Sequence, residues 1–157
     1  MCFSKIIEIM GSFASVGLFV VAWVQLTALN KQKKAEFLYQ FKKDFFESDR
    51  NQKIIKLTEE QKFILETNGG EFDEYDIDEY LDTFDVASNF WKKDLIDLNL
   101  FDEVMGNYVT MAWKNSEIRN YIEKLRKDKK DASYYKPFQE IAEELILREQ
   151  CQQRLFR

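Results

Sequence analysis

The chain has 157 residues, a formal net charge of −5 and an apolar fraction of 45%, which indicates one compact domain with at most a small appendage and excludes a disordered acidic tail. The absence of histidine from the sequence excludes Ser-His-Asp and Cys-His catalysis and every zinc site that uses histidine. Cys2 and Cys151 lie at opposite ends of the chain, so we expect no disulfide framework.

The first predicted element is the apolar run from Ile6 to Leu29, which carries no charged residue after Glu8. As a helix it would be roughly 36 Å long at ~1.5 Å per residue, enough to cross a hydrocarbon core of ~30 Å. A cleaved secretion signal and the buried helix of a soluble fold are the alternatives. The poor cleavage site in LTALNKQ disfavours the first, and the need for apolar neighbours on every side disfavours the second.

Lysines at positions 31, 33 and 34 follow this run directly. Because positive charge accumulates on the cytoplasmic side of membrane spans, we predict a transmembrane segment at residues 1–30 and a cytoplasmic domain at residues 31–157. Within the segment, the small residues Gly11, Ser15 and Ala22 fall on or near one face and favour helix packing in lipid. Glycine and serine are also simply common in spans, so self-association is a hypothesis.

Apolar residues at spacings of three and four predict that the first helix continues unbroken to Ser48. A second helix is predicted to begin at Ser48-Asp49 and to end at Asn68-Gly69-Gly70, with Ile64 and Leu65 on its apolar side.

The later helices have recognisable starting points. A third helix with Asp76 as its cap has the cleanest amphipathic pattern, and Asn99 is the predicted cap of a fourth. Ser116 opens a short fifth helix, and Pro137 stands in the first turn of the last. Since no alternating pattern predicts a strand, we expect an all-α fold, with the N-terminal transmembrane helix continuing into a cytoplasmic bundle of about five helices.

The segment from Glu71 to Asp85 holds eight carboxylates and no basic residue. A calcium-binding EF loop is excluded because it needs a glycine at its sixth position, which is missing here. We therefore predict no metal and no cofactor, and we interpret these acids as the solvent-facing side and N-terminal turn of a helix.

The segment from Lys124 to Lys136 holds six basic residues against two acids. Basic groups neutralise phosphate and aromatic rings stack on bases, so the segment is the candidate site for a nucleotide or cyclic oligonucleotide. Plain solvation or attraction to anionic lipid headgroups is the alternative. The candidate ligand-binding residues are Lys124, Arg126, Lys127, Lys129, Lys130, Tyr134, Tyr135 and Lys136.

Enzymatic signatures do not occur in the chain: it has no phosphate-binding GxxxxGK[ST] loop, no GxGxxG and no GxSxG. No carboxylate pair can be assigned to general acid and base catalysis from the sequence. We therefore predict that the protein is not an enzyme and that it has no catalytic residues.

The charge-free N-terminal helix ending in NKQKKAEFLYQFKKDFF, with the later stretch DEYLDTFDVASNFWKKDLIDLNLFDEVMGNYVTMAWKN, resembles a family of small bacterial single-pass membrane proteins. The likeness is strongest from Asp94 to Trp113, and the helical cytoplasmic domain of that family has no established activity. In general plan the protein is also similar to membrane effectors of bacterial anti-phage systems, including type III CRISPR effectors that sense a cyclic oligoadenylate and disrupt the bilayer.

These resemblances imply a location in the bacterial inner membrane, with the lipid bilayer as a partner. They imply a homo-oligomeric, non-enzymatic protein whose cytoplasmic domain senses a ligand or a protein partner and acts on the membrane, as an anti-phage effector would. A membrane-anchored scaffold or accessory subunit of a larger complex is the alternative function.

Overall fold

The structure is a computed structural model that describes the backbone of residues 2–155 and the side chains of residues 25–154. Within this range the chain is helical, and the only pairing of extended residues is an isolated bridge between Leu65 and Phe72. The prediction of an all-α fold is therefore confirmed.

Helix α1, Cys2–Glu47, ends where the sequence predicted a break. The chain divides into two compact units, Met1–Phe37 and Leu38–Arg157, and the boundary falls within α1. No helix among the described residues combines the length and the apolar character that a membrane span needs. The side chains of most of the predicted span, including the packing residues Gly11, Ser15 and Ala22, lie outside the described residues.

The second unit contains the end of α1 and all of the remaining helices. These are α2 (Asp49–Glu59), a 3₁₀ turn (Glu66–Asn68), α3 (Glu74–Lys92), α4 (Leu98–Phe101), a π-helical turn (Asp102–Gly106), α5 (Asn107–Lys114), α6 (Ser116–Lys129) and α7 (Lys136–Leu155). Helix α4, the π-helical turn and α5 follow one another without an interruption.

Polar side chains fix the starting points of α2, α3 and α4. Ser48, Asp73 and Asp97 each accept a hydrogen bond from the backbone N–H three residues further on, which satisfies a group that has no partner inside the helix. The cap at Ser48 is as predicted. Helices α3 and α4 begin earlier than predicted, since the caps are not Asp76 and Asn99.

Helix α2 is shorter than the sequence predicted. It ends at Glu59, and the chain then turns through Gln61, whose φ of 53° lies in the left-handed region. Ile64 and Leu65 therefore belong to the following loop, and both are buried there. The prediction that α2 continues to Asn68 was wrong because a loop can bury apolar side chains as a helix does.

An aromatic cluster fills the core of the second unit. The ring of Phe84 on α3 lies 5.1 Å from Phe45 of α1, 4.9 Å from Tyr80 and 5.5 Å from Phe138 of α7. Trp113 of α5 contacts Phe138 edge to face at 5.7 Å. Rings at these separations attract one another beyond the burial of their area, so the end of α1 is packed together with α3, α5 and α7.

Candidate functional site

Three carboxylates, Glu74, Asp78 and Asp85, lie on one side of α3, and we call them the carboxylate face. Each of them contacts α6, α7 or the residue that precedes α7. At one end of the face, the carboxylate of Glu74 pairs with Lys124 of α6, with 2.6 Å between Oε1 and Nζ. These three carboxylates therefore join helices, which the sequence did not predict, whereas Asp73 caps α3 and Glu71 and Asp82 are exposed, as predicted for the segment.

Asp78 is the centre of a hydrogen-bond junction between three elements. Its Oδ1 accepts hydrogen bonds from the phenols of Tyr121 at 2.8 Å and Tyr135 at 3.0 Å, and both tyrosines are buried. Burial raises the pKa of both phenols, and the Asp78 carboxylate raises it further. The two tyrosines therefore remain protonated donors, and α6 and the residue before α7 share Asp78 as one of their acceptors on α3.

Tyr135 occupies an unusual backbone position. Its φ of 53° lies in the left-handed region, which costs a residue with a side chain about 1–2 kcal/mol. The hydrogen bond to Asp78 and the burial of the ring hold this conformation in place. The loop between α6 and α7 is thus fixed by contacts with α3.

Asp85 performs a capping role for a helix other than its own. Its Oδ1 accepts from the backbone N–H of Phe138 at 3.3 Å, in the first turn of α7, where a negative charge is favoured. Burial raises the pKa of the Asp85 carboxyl, and the hydrogen bonds from Phe138 and Asn89 oppose that rise. Helix α7 therefore begins on a carboxylate of α3.

The structure divides the predicted ligand-binding residues into two groups. Lys124 pairs with Glu74, Arg126 donates from Nε to the carbonyl oxygen of Tyr134 at 2.9 Å, and Tyr135 is buried on Asp78. These contacts hold the loop in place. The remaining residues of the prediction are exposed: Lys127, Lys129, Lys130, Tyr134 and Lys136.

The four exposed lysines of this set form the lysine group: Lys127, Lys129, Lys130 and Lys136. None of them forms an ion pair with another residue that the structure describes. The last turn of α6 favours positive charge, and lysine binds phosphate as a compact charge with three donors. The arrangement can neutralise phosphate groups, but only Tyr134 offers an exposed ring for stacking. That a ligand binds here stays a prediction.

In the described part of the chain, no group of three or more Asp, Glu or Cys side chains is placed to hold a metal ion. On the carboxylate face, Asp78 and Asp85 already accept from phenols and from a backbone N–H. The carboxylates of α3 are thus arranged to join helices.

Sequence reasoning missed the roles of Tyr121, Asp78 and Asp85. One signal was available: on a helical period, Asp78 and Asp85 lie at the border of the apolar stripe of α3, where a neighbouring helix can reach them. The identity of that neighbour was not available, because the partners come from segments 43 to 57 residues further along the chain.

A family model described as "Domain of unknown function (DUF4760)" matches residues 12–145. The match begins within α1 and ends within α7, so it includes residues of both units. No curated protein matches the chain, and no solved structure matches it.

Proposed function

We propose that this chain, which belongs to the DUF4760 family, is a non-enzymatic membrane protein whose helical domain binds a phosphate-bearing ligand and thereby acts on the membrane. In this proposal residues 1–30 span the bacterial inner membrane and self-associate through Gly11, Ser15 and Ala22. Residues 31–157 form the cytoplasmic domain. An effector of anti-phage defence is the kind of protein that has this organisation.

The observation that carries the proposal is the lysine group. It places four lysines, none of which pairs with an acid among the described residues, at the two ends of a loop whose backbone is held by Tyr135 and Arg126. A loop that is already ordered loses little entropy when it binds. Because exposed charges act weakly one at a time, the fixed loop and the number of lysines together favour a ligand with several phosphates.

Packed side chains also connect this loop to α1 within the second unit. Tyr135 contacts Asp78 on α3, and Phe84 of the same helix lies 5.1 Å from Phe45 of α1. Tyr39 of α1 also donates from its phenol to Glu103 in the π-helical turn at 3.0 Å. Binding of a ligand at the loop would therefore act on α1 through contacts that are already in place.

The ligand part of the proposal is tested with the full chain in detergent micelles and two probes, a short oligoadenylate and inorganic pyrophosphate. The variant K127Q/K129Q/K130Q removes three lysines of the group. The matched control, K53Q/K56Q/K93Q, removes three exposed lysines on α2 and at the end of α3. We expect the first variant to weaken oligoadenylate binding about tenfold or more, and the control to change it less than about twofold.

Salt dependence provides a second readout. If the lysine group neutralises up to four phosphates, log K falls with log salt with a slope of about −3 for the wild type and less steeply for K127Q/K129Q/K130Q. Equal losses in the test variant and its control would contradict the proposed ligand site, as would tight binding without salt dependence.

The membrane part is tested separately by carbonate extraction of bacterial membranes and by dye release from liposomes that contain the full chain. Retention in the membrane after extraction, together with ligand-dependent dye release, is the expected result. A chain that is extracted into the soluble fraction would refute the span, and a strictly monomeric chain that releases no dye would refute the effector mechanism.

A further inference from the structure

Three exposed lysines of α1 directly follow its apolar run, and we call Lys31, Lys33 and Lys34 the α1 collar. No charged residue lies between Glu8 and the collar. The helix continues through these positions without an interruption, as far as Glu47. The collar therefore marks the point at which one continuous helix changes from uncharged to charged.

The described residues provide no ion-pair partner for the α1 collar. None of its three side chains lies within ion-pair distance of a carboxylate that the structure describes. The first acid after the collar is Glu36, and its Oε1 accepts a hydrogen bond from the side-chain amide of Gln32 at 2.8 Å. The positive charge of the collar is therefore available to a molecule outside the chain.

The later lysines of α1 differ from the collar in this respect. Nζ of Lys42 lies 5.9 Å from the ring centroid of Phe46 and 5.5 Å from that of Tyr108, a separation at which the ring attracts a cation. Lys43 pairs with Glu47 at 3.5 Å. Among the lysines of α1 whose side chains the structure describes, those next to the apolar run are thus the ones without such a contact.

Exposed apolar side chains stand directly before the collar. Leu26 is 55% exposed and Leu29 is 46% exposed. Because an α-helix turns by about 100° per residue, Lys33 lies within about 40° of both leucines around the helix. Leu29 and Lys33 are separated by only about 6 Å along the axis. One side of α1 therefore changes from apolar to cationic within roughly one helical turn.

This order of residues identifies the kind of partner. A helix that binds a protein on one side separates apolar and charged residues around its circumference, whereas α1 separates them along its axis. Lys31 and Lys34 lie about 160° and 100° around the helix from Lys33, so a molecule on one side would not reach all three equally. A lipid leaflet has the same order along its normal, hydrocarbon followed by phosphate, and its anionic lipids attract lysines next to a span.

We infer that the α1 collar binds the phosphate groups of anionic lipids at the surface of the bilayer. The inference rests on the proposed span at residues 1–30, and it names the lipid class with which that span associates. The collar shares no residue with the lysine group of the second unit, which is the proposed site for a dissolved ligand.

The test uses the full chain in phosphatidylcholine vesicles that contain a small fraction of a pyrene-labelled lipid. The label is carried either by phosphatidylglycerol or by phosphatidylcholine, and energy transfer from tryptophan to pyrene measures which lipid lies next to the protein. The variant K31Q/K33Q/K34Q removes the charge of the collar and keeps good helix formers in its place. The matched control K53Q/K56Q/K93Q removes three exposed lysines of the second unit. Far-UV circular dichroism verifies that each variant is folded.

We expect the wild type to enrich labelled phosphatidylglycerol over labelled phosphatidylcholine about fivefold, because one lysine near the surface favours an anionic lipid by about that factor. The enrichment should fall below about twofold in K31Q/K33Q/K34Q, and also in about 1 M salt, which screens exposed charges. The control variant should keep the enrichment of the wild type.

Equal enrichment in the wild type and in K31Q/K33Q/K34Q would overturn the inference, and so would an enrichment that is lost in K127Q/K129Q/K130Q instead. Binding of an RNA oligonucleotide that depends on the collar, with an unchanged lipid preference, would overturn it as well. Carbonate extraction of the same vesicles separates these results from the proposed span. A chain that stays in the membrane without preferring phosphatidylglycerol overturns the inference alone, whereas a chain that is extracted overturns both.

Discussion

Replacing Asp78 with alanine should destabilise the second unit strongly, because two buried phenols lose their common acceptor. Tyr121 is 3% exposed and Tyr135 is 6% exposed, so solvent does not readily take the place of the carboxylate. A buried hydroxyl without a partner costs about 1–3 kcal/mol. Tyr121 keeps the carbonyl oxygen of Glu74 at 3.2 Å as a second acceptor, and Asp82 lies close enough to Tyr135 to affect its pKa. We therefore expect the free energy of unfolding to fall by roughly 2–4 kcal/mol.

Urea unfolding of the full chain in micelles, followed by tryptophan fluorescence and far-UV circular dichroism, measures this loss. Tyr121→Phe and Tyr135→Phe each remove a single donor, and each should cost about 1–2 kcal/mol. The triple variant D78A/Y121F/Y135F should be more stable than Asp78→Ala alone, since it contains no phenol that has lost the Asp78 carboxylate as an acceptor. A loss below about 0.5 kcal/mol for Asp78→Ala, with no recovery in the triple variant, would refute the role of the junction.

Four further substitutions have definite expectations. Burial raises the pKa of Asp85 above 3.8, so its contribution to stability falls as the pH rises from 3.8 through the raised pKa. In urea unfolding, the stability of Asp85→Asn relative to the wild type should therefore increase over that pH interval. Gly70→Ala would place its Cβ against loop backbone and should cost roughly 3 kcal/mol in thermal unfolding, whereas Gly69→Ala, at φ 92° in open space, should cost only about 1 kcal/mol. Arg50→Met removes an ion pair with Glu79; it should cost about 1 kcal/mol in urea, and the loss should shrink in about 1 M salt.

The helical nature of the chain could be read from the spacing of its apolar residues, and the first turns of α2, α6 and α7 were found because their starting residues are typical. The predicted N-terminal caps of α3 and α4 were wrong. Several acids and amides stand close together before α3 and α4, and any of them satisfies the preference for a short polar side chain. The choice of Asp73 and Asp97 depends on how the preceding loop enters each helix, and a local pattern does not contain this information.

The end of α2 illustrates a second limit. The sequence placed the break at two glycines, because glycine adopts the left-handed region without strain. The chain instead turns at Gln61, a residue that seldom adopts that conformation. Contacts made by the loop, such as those of Glu117 with Ile64 and Leu65, stabilise the turn from a distant part of the chain.

For the candidate site, the sequence identified the basic residues, but it did not show which of them are occupied by contacts in the folded unit. Composition gave equal weight to all basic residues of the segment, whereas Lys124 and Arg126 have partners in the folded unit. The Tyr134-Tyr135 pair was read as one stacking surface, and the left-handed backbone at Tyr135 turns one ring into the core. Which of two neighbouring tyrosines is buried depends on Asp78, which lies more than fifty residues earlier.

The distance along the chain between Asp78 and its two partners, 43 and 57 residues, also bears on synthesis at the ribosome. Helix α3 leaves the exit tunnel before Tyr121, Tyr135 and the start of α7 have left it. During that interval no helix covers the apolar stripe of α3, which favours aggregation. The carboxylates beside the stripe are hydrated, and their like charges repel neighbouring nascent chains. We therefore expect the side chains that join the finished helices also to keep unfinished chains apart.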